Sequence, residues 1–211
     1  MEKIRNREEA GEKLAGQLAA YKERKDVLVL ALPRGGVPVA EPIARELKAP
    51  LEVFIVRKLG VPGHRELAMG AIASGGVRVM NMDVVRSMGI SEEQIEKVAA
   101  EETSELARRE NQYRGDRNFP EISGKTVILV DDGVATGATM RVAIKALREG
   151  GAQKLVVAVP VAPPDTCAVL SREADELICP FRPSPFHAIG LWYEDFSQVS
   201  DEEVGRILKE S

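Results

Sequence analysis

Long apolar runs are missing from this chain. The longest, such as LVVAVPVA from Leu155 to Ala162, fall well short of the roughly 20 residues a bilayer-spanning helix needs. The opening stretch MEKIRNREEAGEKLAGQLAAYKER carries charge throughout and has no apolar core of a secretory signal, so a cytoplasmic location is expected. Cysteine is nearly absent. Cys167 and Cys179 form no CxxC pair, and with only two histidines in the chain neither a disulfide framework nor a zinc site is indicated. There is no excess of positive charge: 29 Lys and Arg stand against 33 Asp and Glu, a net charge of -4, which leaves no electrostatic footprint for nucleic acid and no membrane partner. Internal repeats and low-complexity segments are lacking too. What remains, 44% apolar and 29% charged over 211 residues, suits one domain with a substantial core.

That material alternates between two periods. Residues 7 to 24 place Ala10, Leu14, Leu18, Ala19 and Tyr21 at helical spacing, which predicts an opening amphipathic helix. DVLVLAL (26–32) and LEVFIVR (51–57) read as buried strands around a helix from Val37 to Leu47, and a loop rich in Gly and Pro is expected next. LAMGAIA and VRVMN flank Ser74, Gly75 and Gly76 as a hairpin. From Ser91, where Gln94 completes a capping-box pattern, a polar helix runs to about Arg117, either an elaboration on the core or a partner-binding arm. TVILVDD, a helix to Glu149, KLVVAVPVA, a helix from Pro164 and DELICPF restore the alternation, and Ser200 with Glu203 opens a terminal helix. The expected fold is α/β, a parallel twisted sheet with helices on both faces. One domain over 1–211 is expected, with a helical elaboration at about 82–118 and a small C-terminal hood or tail at about 183–211.

Ligands of open α/β sheets bind beyond the carboxyl ends of the strands. Three such ends stand out. In VILVDDGVATGATM, Asp131 and Asp132 run into Gly133, Val134, Ala135, Thr136, Gly137, Ala138 and Thr139 at a strand-to-helix turn, where free amides and hydroxyls favour phosphate. It is not a Walker A loop, since three residues rather than four separate Gly133 from Gly137 and no Lys follows, and no GxGxxG is present. Two carboxylates beside a phosphate cradle make sense if the ligand brings a diol for them to hold, with a Mg²⁺ shared among its oxygens, as in a ribose 5-phosphate. In ALPRGGVPVA, Arg34 and Gly35 make a second anion site. In IVRKLGVPGHRELAMGAIA, Arg57 and Lys58 lead into a loop whose His64, Arg65 and Glu66 are candidates for a lid. A phosphate, a ribose and a second anion in that order describe phosphoribosyl pyrophosphate.

The 13 residues VILVDDGVATGAT resemble the phosphoribosyl pyrophosphate signature of type I phosphoribosyltransferases, and the strand order with the PRGG turn resembles that family's core over about 26–182. The resemblance implies that Asp131 and Asp132 hold the ribose hydroxyls, that Ala135 to Thr139 hold the 5-phosphate, and that Arg34 with Gly35 holds the pyrophosphate, to which Arg57 and Lys58 at the second strand end are further candidate ligands. It also implies a flexible loop closing from Lys58 to Glu66. RKLGVPGHRELAMGAIA looks like that of a bacterial and archaeal group with no generally assigned acceptor. Ala135 stands where 6-oxopurine enzymes of the family carry Asp, which makes hypoxanthine and guanine poor expectations. SPFHAIGLWYEDFSQVSDEEV resembles a C-terminal hood, whose Phe186, Trp192 and Tyr193 either stack on an acceptor ring or tie the tail to the core.

The activity so implied is Mg²⁺-dependent displacement of pyrophosphate from C1 of ribose by a nitrogen nucleophile, with Asp131, Asp132, Arg34 and Lys58 as the catalytic set. Glu66 and His64 are the candidates for deprotonating the acceptor. The metal is expected to be held mainly through substrate, its direct protein ligand open, and homo-oligomerisation is left open. Two rivals stand beside it. One is a sensor of phosphoribosyl pyrophosphate or a nucleotide on the same fold; the other is a phosphohydrolase, for which the Asp pair lacks the further ligands of a two-metal site.

Overall fold

The computed structural model describes residues 3–115 and 117–211. Its centre is a parallel sheet of β1 (Val27–Ala31), β2 (Leu51–Val53), β6 (Thr126–Val130), β7 (Lys154–Ala158) and β8 (Glu176–Ile178), in the order β2-β1-β6-β7-β8. The pairing is in register, with Val29 opposite Ile128 and Ile128 opposite Val156. Both faces of the central β1, β6 and β7 are buried, which is why they read as largely unbroken apolar runs rather than as an alternation.

Period two sorts their side chains between two cores. Val27, Val29, Ala31, Ile128, Val130, Val156 and Ala158 face the layer built by α1 (Arg7–Gln17), α2 (Gly36–Leu47) and α7 (Asp201–Glu210). Leu28, Leu30, Val127, Leu129, Leu155 and Val157 face α5 (Ala138–Glu149) and α6 (Pro164–Glu173). On α5 the stripe is Met140, Ala143, Ile144 and Leu147, a 3.6-residue period that matches the flat face of the sheet. The parallel sheet with helices on both faces is thus observed.

Two expectations need correction. The opening helix ends at Gln17 and passes into a short 3-10 turn at Ala19–Tyr21. The strand expected over 51–57 stops at Val53, and the loop expected after it is a β-hairpin of β3 (Val56–Val61) and β4 (His64–Ala73). Pro62 and Gly63 make only the turn, with Gly63 at φ +79°. Leu59 and Val61 are buried while Lys58 is exposed, the alternation of a half-buried strand, and a register shift at Gly60 hides that pattern in the sequence. The hairpin expected around Ser74–Gly76 is present, and β5 (Val77–Met80) completes a second, antiparallel sheet of order β3-β4-β5.

Between β5 and β6 in the chain come α3 (Met82–Ser87) and α4 (Glu92–Arg114), the latter opened by the capping box of Ser91 and Gln94. The apolar side chains of α4, Ile95, Ala99, Leu106 and Tyr113, join the core beneath α7 and β3, so that this stripe faces the protein's own fold. At its end the buried Arg114 lies 3.7 Å from the buried Glu52 of β2, its guanidinium 5.0 Å over Phe119.

Candidate active site

Parallel strands bring their following turns to one edge, and there the PRGG turn after β1 meets the DDGVATG turn after β6. The contact is close. A Cβ added to Gly35 would lie 2.6 Å from Asp132 Cγ, and one on Gly36 would lie 3.1 Å from Asp131 Cα. Only glycine at 35 lets the first turn pass this near the second carboxylate. The Pro33–Arg34 peptide is cis, and Arg34 itself is exposed.

The loop after the Asp pair is built to leave amides free. Val134 donates to Val161 O at 2.9 Å and Thr166 donates through Oγ1 to Ala135 O at 2.7 Å, which pins the loop to the segment after β7 and the start of α6. Gly137, at φ +78°, turns the chain into α5. Among the described residues the amides of Ala135, Thr136, Gly137, Thr139 and Met140 find no acceptor, while Ala138 N–H meets only Thr136 Oγ1 at 3.5 Å. A helix N-terminus with several unpaired donors is an anion cradle. Ala135, Thr136, Ala138 and Thr139 are exposed, so a ligand reaches it from solvent.

The carboxylates sit in a different environment. Asp132 is 8% exposed, and Asp131 accepts the Asp132 amide through Oδ1 at 2.8 Å. Burial raises the pKa of Asp131 well above the usual carboxylate range, and the neighbouring Asp132 charge adds to it. Burial raises Asp132 as well, but there the Arg7 guanidinium pulls the other way. Arg7 donates from Nε to Asp132 Oδ2 at 2.8 Å and from Nη1 to Ser197 O at 2.7 Å, with its guanidinium carbon 4.0 Å above the Phe196 ring. Tyr193, fully enclosed, donates its hydroxyl to Asp132 O at 2.6 Å. The two ends of the chain are therefore laid together over the pair: Ile4 donates its N–H to Trp192 O at 2.9 Å and Glu194 donates back to Ile4 O at 2.8 Å.

Sequence reasoning placed the Asp pair, the loop and Arg34 but missed Arg7 and Thr166, since nothing marks one Arg among the many charges of α1 or one Thr at the start of α6. Of the two roles open to Tyr193, stacking on an acceptor ring or tying the tail to the core, the geometry is that of the second: its ring is buried against Phe196 at 4.9 Å between centroids and its hydroxyl is bound. Phe186 and Trp192 pack on each other at 6.5 Å. Of the remaining cations, Arg57 is tied to Glu102 of α4 at 2.6 Å, whereas Lys58 is exposed and has no ion-pair partner among the described residues. His64, Arg65 and Glu66 open β4 and are exposed at the hairpin end, on a paired strand rather than a free loop.

A resident Mg²⁺ does not fit these groups. Among the described residues no three His, Cys, Asp or Glu side chains gather to hold a metal, and Asp132 Oδ2 and Asp131 Oδ1 are taken by Arg7 and an amide. No helix among them is long and apolar enough to cross a membrane.

An open parallel sheet whose first and third strands deliver an Arg-Gly-Gly turn and an Asp-Asp pair, with an amide cradle beside them, is the architecture of a nucleotide- or sugar-phosphate-binding α/β protein. The phosphoribosyl transferase domain model matches residues 1–181, and the chain belongs to that family. The Mycobacterium tuberculosis protein named "Putative phosphoribosyl transferase Rv0571c" is 46% identical over 203 residues, 96% of this chain but 46% of that relative, so the chain spans about half the length of the relative it matches. The crystal structure of TT1426 from Thermus thermophilus superimposes with a TM-score of 0.86 at 40% identity, covering 99% of both chains. The "Transcriptional regulator GfcR 2" of Methanosarcina barkeri is 49% identical over 43 residues, 20% of this chain and 21% of that protein.

Proposed function

We propose that the chain transfers a 5-phosphoribosyl group from phosphoribosyl pyrophosphate to a nitrogen acceptor, a nucleobase or related heterocycle, and releases pyrophosphate. The observation that carries this reading is the convergence at one sheet edge of the PRGG turn, the Asp pair and the unpaired amides from Ala135 to Met140. In it the amides and the Thr136 and Thr139 hydroxyls take the 5-phosphate, Asp131 and Asp132 accept hydrogen bonds from the ribose diol, and Arg34 with the amides of the PRGG turn takes the pyrophosphate. Lys58 is the second cation free to approach that leaving group. Arg57 would have to leave Glu102 to join it, and the exposed His64, Arg65 and Glu66 would come within reach only if the whole hairpin moved.

As the nitrogen lone pair attacks C1, the bond from C1 to the pyrophosphate oxygen breaks, the acceptor's N–H proton is released to solvent, and negative charge grows on the leaving group, where Arg34 and Lys58 stabilise it. The ribose, held by its diol and its phosphate at two ends, keeps C1 between nucleophile and leaving group. Mg²⁺ enters this reading as the companion of the donor, carried on its phosphate and hydroxyl oxygens, and no step depends on a protein-bound metal. Phosphoribosyl pyrophosphate and the acceptor are the partners the reading requires, in a cytoplasmic setting.

Pyrophosphate release, measured with the donor, Mg²⁺ and a panel of nucleobases, tests it. One acceptor should give turnover, and Asp132→Asn should lower it on the order of 100-fold without unfolding the protein. Wild-type turnover in that variant would sink the assignment. The similarity of a 43-residue stretch to a transcriptional regulator favours a second reading, a sensor of the same ligand. Tight donor binding with no release for any acceptor would select the sensor.

A further inference from the structure

We infer that Arg7 is a positioning residue for the Asp pair: reaching over from α1, it keeps the Asp132 carboxylate ionised and set against the PRGG turn. This rests on the phosphoribosyl reading of the site. Arg7 and Asp132 are 125 residues apart in sequence, and their side chains are only 11% and 12% exposed. A pair so enclosed is a poor choice for stability alone, because desolvation offsets most of the attraction and apolar side chains would pack there as well. Its geometry is nonetheless fixed on three sides, by Asp132 Oδ2, by Ser197 O and by the face of Phe196.

The other groups around Asp132 explain why a cation is needed. Burial works against the charged form of Asp132, and the Tyr193 hydroxyl from the tail binds the Asp132 backbone carbonyl rather than its carboxylate. Asp195, also on the tail, is close enough to feel the Arg7 charge but directs its carboxylate to Ser197 N–H at 3.0 Å. From the turn before α2 comes the Cβ-less Gly35. Arg7 is thus the one positive group hydrogen-bonded to this carboxylate among the described residues. With it removed, burial favours the protonated acid, which accepts fewer hydrogen bonds from a diol.

The test is calorimetric binding of ribose 5-phosphate from pH 5 to pH 9 to wild type, Arg7→Gln and Arg7→Lys, each checked for a native circular dichroism spectrum. Removing an opposite charge in direct contact shifts a carboxylate by about one unit or more, so the acid limb of binding in Arg7→Gln should move up by that amount. Affinity near the wild-type midpoint should fall roughly fivefold or more and recover at high pH. Arg7→Lys, which keeps the charge, should hold the wild-type limb, and it carries the test alone if Arg7→Gln does not fold. An unshifted limb in Arg7→Gln, or equal weakening at every pH, would overturn the positioning role, as would a displaced limb in Arg7→Lys. No ribose 5-phosphate binding by wild type at any pH would instead overturn the phosphoribosyl reading itself.

Discussion

Replacing Gly35 by Ala perturbs the site by one methyl group and nothing else. Gly35 has φ -61° and ψ -30°, a conformation Ala adopts without strain, so the backbone alone predicts a small gain of about 0.4–1 kcal/mol from the less flexible unfolded chain. The collision decides otherwise. The new Cβ would lie 2.6 Å from Asp132 Cγ, where ordinary contact begins at 3.4 Å, and the oxygen it would meet first, Oδ2, is the one already held by Arg7. Either the carboxylate or the turn must retreat by roughly 1 Å, and a displacement of that size at a reacting centre costs about 100-fold in rate. The accompanying overpacking costs about 1–3 kcal/mol, so Tm should fall slightly or hold. Gly16→Ala serves as the control, because nothing lies within 4 Å of its Cβ, and inside α1 it should raise stability by about 0.5–1 kcal/mol. Binding of phosphoribosyl pyrophosphate by calorimetry and pyrophosphate release on the active acceptor are the readouts. If Gly35→Ala behaves like Gly16→Ala in both, the carboxylate does not sit against the turn in the working protein, and the site described above is wrong.

Arg34→Ala removes an exposed cation from the edge of the PRGG turn. Loss of a charge-assisted hydrogen bond worth about 1.5–3 kcal/mol should weaken pyrophosphate binding tenfold or more and leave ribose 5-phosphate nearly untouched; equal losses for both ligands would contradict the assignment. Asp131→Asn keeps an oxygen to accept the Asp132 amide but removes a buried charge. Because the folded-state pKa of Asp131 is raised, its ionisation opposes folding at pH values above the unfolded carboxylate pKa, and this penalty grows as pH rises towards the folded value. The variant should therefore exceed wild type in Tm at pH 8 by more than at pH 5, and a difference that shrinks with pH would refute the burial argument. Arg114→Met strands the buried Glu52 without its cation and should cost about 3–5 kcal/mol in urea unfolding, most of it recovered by adding Glu52→Gln; a cost under about 1 kcal/mol would show that the 3.7 Å pair is electrostatically idle.

The parts legible in the sequence were those set by local composition. Unbroken apolar runs at 27–31, 127–130 and 155–158 announce strands covered on both faces, and the Asp pair followed by Gly and Thr announces a strand-to-helix anion turn without any tertiary information. The hairpin from Val56 to Ala73 was hidden, because Gly60, Pro62 and Gly63 signal loop locally while strand pairing and the burial of Leu59, Val61 and Met69 override them. Arg7 was hidden for a different reason. Its partner is set by a fold that brings residues 7, 132 and 197 together, and no periodicity in α1 distinguishes it from Arg5 or Lys13.

The clasp between the chain ends has a consequence for the order of folding. Arg7 and Ser197 are joined across 190 residues of sequence, the kind of contact whose loop-closure cost is met late. A nascent chain that has emerged as far as β8 can already pair its parallel sheet and shape the loop after Asp132. It still lacks Tyr193, Phe196 and Ser197, so Arg7 has no platform and the Asp132 carbonyl no donor. Completion of the carboxylate pair thus waits for the segment from Tyr193 to Ser197, and a chain cut short before that segment would keep its scaffold while its ligand site stayed unfinished.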